Sequence, residues 1–318
     1  MKILVLPRWG PEDPRSRYRI YQYLPYLADA GHQLRVASLS EGSGAGASLL
    51  RLLRCLPARS FDLAWIQSPL GPGLAPSLKA GLSGLLPQVK VYDSSQGFHG
   101  QANGLTLETG VDPGPLPAGV PSLSLRTVPD WSEMEAIAKS KQGLTLGWVG
   151  SQDRAGLLED ILPVLQELAA DHPFELKMVG ASIADPGFNC SSLAQLPRDD
   201  RQFLASLDMA LLPCAVGTCP DFLQRLYLPR FMAAGIPVVV GPGNGLEQLL
   251  AESGAGYVAE DGDAWMAALR KLFHTPSLGP RLGERGREWA KYELSLQAQA
   301  PGLVRFLESL VQPGKTGL

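Results

Sequence analysis

GTCPDFLQRLYLPRFMAAGIPVVVGPGNGLE, residues 217–247, holds in one run a polar loop, a helix, a buried strand and a glycine-rich turn. Residues 222–234 are compatible with a helix that stops at Gly235, which takes the left-handed conformation of a helix C-terminus without a Cβ penalty. Residues 236–240 are apolar and mostly β-branched, the composition of a strand covered on both faces. Gly241-Pro242-Gly243-Asn244-Gly245 ends that strand and opens a helix over 246–251. A helix N-terminus behind such a turn presents unpaired N–H groups and a partial positive charge, and so suits a phosphate. The competing reading is structural, because parallel α/β proteins place glycine-rich turns at strand ends in any case.

Outward from this stretch, 318 residues give room for two domains that each bury a core. With 45% hydrophobic and 19% charged residues the composition is that of a soluble globular protein. A net charge of -3 lacks the basic excess of a nucleic-acid binder. Cys55, Cys190, Cys214 and Cys219 show no C-x-x-C spacing, and His32, His99, His172 and His274 are the only imidazoles, so no metal site is expected. The apolar run in MKILVLPRWG is too short for a signal peptide or a membrane span, and the chain reads as cytoplasmic.

The N-terminal part alternates strands at 2–6, 34–37, 62–66, 89–92 and 105–108 with helices at 15–30, 49–56 and 73–86. Arg15, Arg17 and Arg19 crowd the start of the first helix. Each alone fits a solvated face; as a cluster at the end of strand 1 they are placed to meet an anionic donor or acceptor. The polar run 93–100 contains His99, suited to orient a hydroxyl or take a proton, or else merely exposed. Residues 110–122, GVDPGPLPAGVPS, read as an interdomain linker. A second series follows, with strands at 144–149, 174–179, 207–212 and 256–258. Helices are expected at 131–141, 199–205 and 264–273, with two more over 278–310. Gly150-Ser151-Gln152-Asp153-Arg154 is another strand–turn–helix junction, with a hydroxyl and a guanidinium to offer a phosphate. The alternation gives an α/β fold of two open parallel sheets in series.

The segments GWVGS (147–151), SLDMALLPC (206–214), RFMAAGIPVVVGPGNGLEQLL (230–250) and SGAGYVAEDGDAWMAAL (253–269) bring a family into view. In this order they resemble the C-terminal domain of GT-B glycosyltransferases of the family-4 retaining group. RSRYRIYQYLPYLADAGHQLRV (15–36) is similar to that group's first helix and second strand, and TGVDPG (109–114) to its linker. The resemblance implies two Rossmann-like domains facing across a cleft. It places the acceptor-side domain at 1–125, with a C-terminal helix at 300–318 packing back, and the nucleotide-sugar-binding domain at 126–299. It implies metal-independent transfer from a nucleotide-diphosphate sugar, with no separate cofactor. The acceptor would be a glycan, a lipid-linked sugar or another molecule, and a membrane surface or partner enzyme is a further contact.

By that resemblance, Gly150, Ser151 and Arg154 lie near the donor diphosphate, Asn244, Gly245 and Leu246 present backbone donors, and Glu247 matches the family's Glu at that helix start. Arg15 and Arg17 fall on the acceptor side. The chain departs from the family where two glutamates with seven residues between them are expected, since Phe222 and Arg230 stand there. Asp221, one residue out of register, is the substitute and with His99 the catalytic candidate; Arg225 and Tyr227 are the remaining polar donor-binding candidates. The N-terminal domain is abbreviated. A catalytically silent GT-B-like protein that binds a nucleotide, a sugar or a partner enzyme is the alternative function.

Overall fold

The computed structural model describes residues 1–39, 60–67, 83–94, 102–109, 115–135, 137, 143–194, 199–214, 221–243 and 245–311. The chain divides into two compact units, Met1–Thr127 with Leu296–Leu318, and Val128–Ser295.

The first unit is a parallel sheet of β1 (Lys2–Leu6), β2 (Gln33–Val36), β3 (Leu63–Gln67), β4 (Val89–Ser94), β5 (Gly104–Glu108) and β6 (Ser122–Leu125), in the order β2-β1-β3-β4-β5-β6. β1 and β3 are the central strands, and their apolar runs KILVL and LAWIQ are buried almost throughout. The helix expected to run unbroken to Gly31 comes in three pieces. They are α1 (Pro14–Arg19), a 3-10 turn at Tyr21–Tyr23 and α2 (Leu24–Asp29). Asp13 caps α1, Ile20 leaves helical geometry at φ -126°, and Pro25, which lacks an N–H, opens α2. The expected linker 110–122 does not run on into the second unit: Ser122 begins β6, an edge strand whose residues pair with β5 from Leu105↔Ser122 to Glu108↔Leu125.

The second unit repeats the plan. β7 (Thr145–Val149) is followed by a 3-10 turn at Gln152–Arg154, α4 (Ala155–Glu159) and α5 (Leu162–Asp171), after the short α3 (Trp131–Met134) has opened the unit. Next come β8 (Glu175–Val179), β9 (Asn189–Leu193), α6 (Arg201–Ala205), β10 (Met209–Leu212) and α7 (Phe222–Ala233). β11 (Val238–Val240), α8 (Leu246–Ser253), β12 (Gly256–Val258), α9 (Gly262–His274) and α10 (Leu278–Glu293) complete it. The strands are parallel in the order β12-β11-β10-β7-β8-β9. Trp148, Leu211 and Val239 from the sheet pack with Leu165 of α5 and Leu269 of α9 in one core. β9, of sequence NCSSL, is mostly exposed and lies at the edge.

The last helix, α11 (Leu296–Val311), returns to the first unit. It lies so close to β5 that a Cβ on Gly104 would sit 2.5 Å from the Leu310 Cδ1 and 3.1 Å from the Phe306 ring, so any larger residue there would have to displace the Leu310 side chain.

Candidate functional site

In open parallel sheets, ligands bind beyond the C-terminal ends of the strands. In the second unit that edge is formed by Gly150 and Ser151 after β7, Gly180 after β8, Cys214 after β10, and the turn from Gly241 after β11.

Asp221 organises the first half of this edge. Its Oδ1 accepts from the Gln224 N–H at 2.7 Å, and the Gln224 side chain accepts from the Asp221 N–H at 3.1 Å, a capping box at the start of α7. Its Oδ2 accepts from both the N–H and the hydroxyl of Ser151, each at 2.8 Å. Asp221 thus ties the turn after β7 to the N-terminus of α7. Expected as a stand-in catalytic carboxylate, it has three of its lone-pair positions committed to the fold. The motif D-x-x-Q at 221–224 is the sequence signal that announces this cap. Gly180 makes the approach possible, since its φ is +90° and an added Cβ would meet the Gly150 carbonyl oxygen at 2.5 Å.

The second half is the glycine-rich turn. Gly245, at φ +90°, is the N-cap of α8, and the Glu247 side chain folds back to accept from the Gly243 N–H at 3.2 Å. The Leu246 N–H donates to the Gly243 carbonyl, so it is engaged within the turn instead of facing a ligand. Asn244 lies outside the described residues.

Between the halves lies the Cys214 thiol, which is pushed up to about 12 by burial and then by the Asp221 and Glu247 carboxylates, with Arg154 and the Gln224 hydrogen bond opposing. The Cys214 backbone lies against the second turn, since a Cβ added to Gly241 would sit 2.5 Å from the Cys214 nitrogen and 2.6 Å from its carbonyl oxygen. Arg154 itself is partly exposed and 4.0 Å from Asp153. A cavity of about 230 Å³ opens on the same edge, lined by Cys214, Pro242 and Trp265 together with Asp160, Glu260 and Asp261, among others.

Tyr227, an expected donor residue, and Arg230, the departure from the family motif, are both placed elsewhere. Tyr227 is fully buried, its ring packed edge-on to Phe203 and tilted against Phe231, so it belongs to the core. Arg230, standing where the family has a glutamate, is 3% exposed and faces the interior. Its Nε donates to Asp200 Oδ2 at 2.9 Å, with a second bond from Nη2 to Oδ1, and Nη1 lies 3.8 Å from Glu133. Arg225, on the first turns of α7, is half-buried.

At the corresponding edge of the first unit, His99 lies outside the described residues. Arg15 is exposed and paired with Asp13 at 2.7 Å, and Arg17 lies over the Tyr18 ring at 5.1 Å. Arg19 is buried against Asp93 and donates to the Leu125 carbonyl at 2.8 Å. Burial opposes its charge, but Asp93 and Glu108 outweigh it and hold the pKa above the ordinary value. It is a structural residue. Among the described residues no group of three or more His, Cys, Asp or Glu is arranged to hold a metal ion, and no helix is long and apolar enough to cross a membrane.

No family model matches the sequence, and no curated protein does. Solved structures match over nearly the whole chain. Sucrose-phosphate synthase from Thermosynechococcus elongatus superposes with a TM-score of 0.72 at 12% identity, covering 98% of this chain and 99% of that one. A glycosyltransferase from Rickettsia africae gives 0.67 at 12% identity with 98% of each chain covered. Anabaena HepE in complex with UDP and glucose gives 0.66 at 12%, over 97% of this chain and 100% of that one; HepE has also been solved with UDP-glucose. From end to end, the chain has the fold of the GT-B glycosyltransferases.

Proposed function

We propose that the protein is a glycosyltransferase that takes a sugar from a nucleotide-diphosphate donor, held by the second unit, and passes it without a metal ion to a glycan or lipid-linked acceptor. The observation that carries this reading is the tie between the Gly150–Arg154 junction and the N-terminus of α7 through Asp221, with Gly241 of the second junction packed against the Cys214 backbone, in a chain of GT-B fold. In the reaction the bond between the sugar C1 and the diphosphate oxygen breaks, a bond from C1 to an acceptor hydroxyl oxygen forms, and that hydroxyl's proton is released. Negative charge collects on the leaving diphosphate. Arg154 and the Gly243 N–H, once Glu247 has left it, are the groups able to stabilise it.

Both turns hold a carboxylate of the chain itself, and the two are bound unequally. Asp221 accepts three hydrogen bonds of 2.7 to 2.8 Å and anchors α7, whereas the interaction described for Glu247 is one bond of 3.2 Å to the Gly243 N–H. A diphosphate therefore displaces Glu247 and leaves Asp221 in place. The adjoining cavity, about 230 Å³ and lined by apolar side chains together with Asp160, Glu260 and Asp261, has room for part of the donor such as its sugar ring. HepE, of the same fold, is solved with UDP-glucose, which makes UDP-sugars the first donors to try.

The test is calorimetric titration of the full chain with UDP, GDP and ADP, followed by donor-hydrolysis and transfer assays with the nucleotide that binds. Binding and turnover are expected. No binding of any of the three at millimolar concentration overturns the proposal, and binding without turnover on any acceptor supports a silent nucleotide-binding protein instead.

A further inference from the structure

The loop leaving β1 carries an arginine pair that the donor site does not use. The guanidinium carbons of Arg8 and Arg15 lie 4.4 and 3.9 Å from the centroid of the Trp9 ring, within the range of cation–π attraction. The loop backbone is pinned from beneath by Gln67, 5% exposed at the end of β3. Its Oε1 accepts from the Arg8 N–H at 3.0 Å and from the Ser16 hydroxyl at 2.5 Å, and its Nε2 donates to the Arg15 carbonyl at 3.1 Å. The Ser16 oxygen in turn accepts from the Trp9 N–H at 3.0 Å, and the Tyr21 hydroxyl donates to the Trp9 carbonyl at 3.3 Å. Two cations are therefore fixed around an aromatic plate at the ligand-binding edge of a parallel sheet.

Their charges are unequally met. Asp13 grips Arg15 with both oxygens, at 3.0 Å to Nε and 2.7 Å to Nη2. Arg8 has a buried Nε with no hydrogen-bond partner among the described residues. Its pKa lies below the ordinary arginine value, first through burial and then through the charge of Arg15, with Asp13 opposing. One carboxylate serves two guanidiniums, and a donor N–H is left to satisfy. A guanidinium in that condition suits an anion with several acceptor oxygens that can bridge both arginines; a phosphate monoester has this form, and a neutral sugar does not.

We propose that Arg8, with Arg15 across the Trp9 ring, binds a phosphate group carried by the acceptor. Assigning that phosphate to an acceptor rests on the transferase reading, but the anion site stands in the first unit and is measured without nucleotide. Its source is either a soluble sugar phosphate or a lipid headgroup.

The experiment titrates the full chain, free of nucleotide, with inorganic phosphate, glucose 6-phosphate and glucose by calorimetry. In parallel the chain is sedimented with vesicles of phosphatidylglycerol or of phosphatidylcholine. We expect a phosphate-bearing probe to bind and glucose not to, with glucose 6-phosphate assigning the site to soluble sugar phosphates and phosphatidylglycerol alone assigning it to headgroups. Arg8→Gln keeps the backbone N–H that Gln67 holds, and is expected to weaken that binding about tenfold or more, the scale of a hydrogen bond to a charged group. Asp13→Asn keeps the helix cap while freeing Arg15, and is expected to tighten it about threefold, as befits the release of an exposed ion pair. The proposal is overturned if no phosphate-bearing probe binds in either arm, or if Arg8→Gln binds like the natural protein. Loss of UDP binding alongside intact phosphate binding counts against the transferase reading only, and the reverse counts against the anion site only.

Discussion

Arg230 gives the sharpest test of how the second unit is built. Replacing it with Met keeps the length and apolar stem of the side chain and removes the charge, leaving the Asp200 carboxylate, 3% exposed, without its two hydrogen bonds. Breaking a buried ion pair from one side costs about 3 to 5 kcal/mol, since the remaining charge is stranded. Glu133, 43% exposed and 3.8 Å away, adds no more than a surface pair, roughly 1 kcal/mol or less. In a domain of this size the loss lowers the melting temperature by roughly 10 °C. Replacing both partners, Arg230→Met with Asp200→Leu, removes the stranded charge and is expected to recover about 2 kcal/mol or more relative to Arg230→Met alone. Arg230→Glu, which restores an acid at the family's motif position, places a third carboxylate beside Asp200 and Glu133 and is expected to unfold the unit without improving nucleotide binding. Urea unfolding followed by tryptophan fluorescence reads these variants, the single Asp200→Leu variant and the natural protein. An Arg230→Met variant within about 1 kcal/mol of the natural protein refutes the reasoning, as does a double variant that loses the sum of the two single changes.

Three further outcomes follow from the same geometry. Arg154→Ala is expected to weaken binding of a nucleoside diphosphate by about 1.5 to 3 kcal/mol in calorimetry; unchanged affinity removes Arg154 from the site. Gly180→Ala forces a side chain into a backbone at φ +90° and against the Gly150 carbonyl, so a loss of about 1 to 3 kcal/mol in thermal unfolding is expected, together with weaker nucleotide binding as the Ser151 turn shifts. A variant as stable as the parent contradicts the close approach. His32 is held below its ordinary pKa by burial and by the N-terminal ammonium, against Glu308. As pH falls through about 6.5 the unfolded chain takes up a proton that the folded chain resists, so stability drops with acidification. His32→Gln should flatten that slope in urea titrations across the window, and equal slopes in the two proteins would rule out His32 as its source.

The central strands were legible because burial on both faces demands the continuous apolar runs seen in LAWIQ and VVV. Two of the four edge strands were not. SLSL at β6 and NCSSL at β9 keep a wet face and an unpaired edge, and polar residues there carry no periodic signal strong enough to separate a strand from a loop. In the candidate site the glycine turns were readable from conformational need, whereas the partners of charged residues were not. Arg230 meets Asp200 thirty residues away along the chain, and Ser151 meets Asp221 seventy away, distances over which spacing predicts nothing. The cap at Asp221 was within reach, since D-x-x-Q states it locally.

The return of α11 to the first unit makes the second unit an insertion, continuous from Val128 to Ser295, within a first unit that is complete only when its last helix has been made. On the ribosome the second unit has all its residues while the first still lacks the Phe306 and Leu310 that cover Gly104 of β5. Synthesis at about 5 to 20 residues per second leaves that face of the sheet uncovered for roughly 10 to 40 seconds. The order of folding is then inverted relative to the order of translation, and a chain cut before Leu296 yields a finished second unit attached to an unfinished first one.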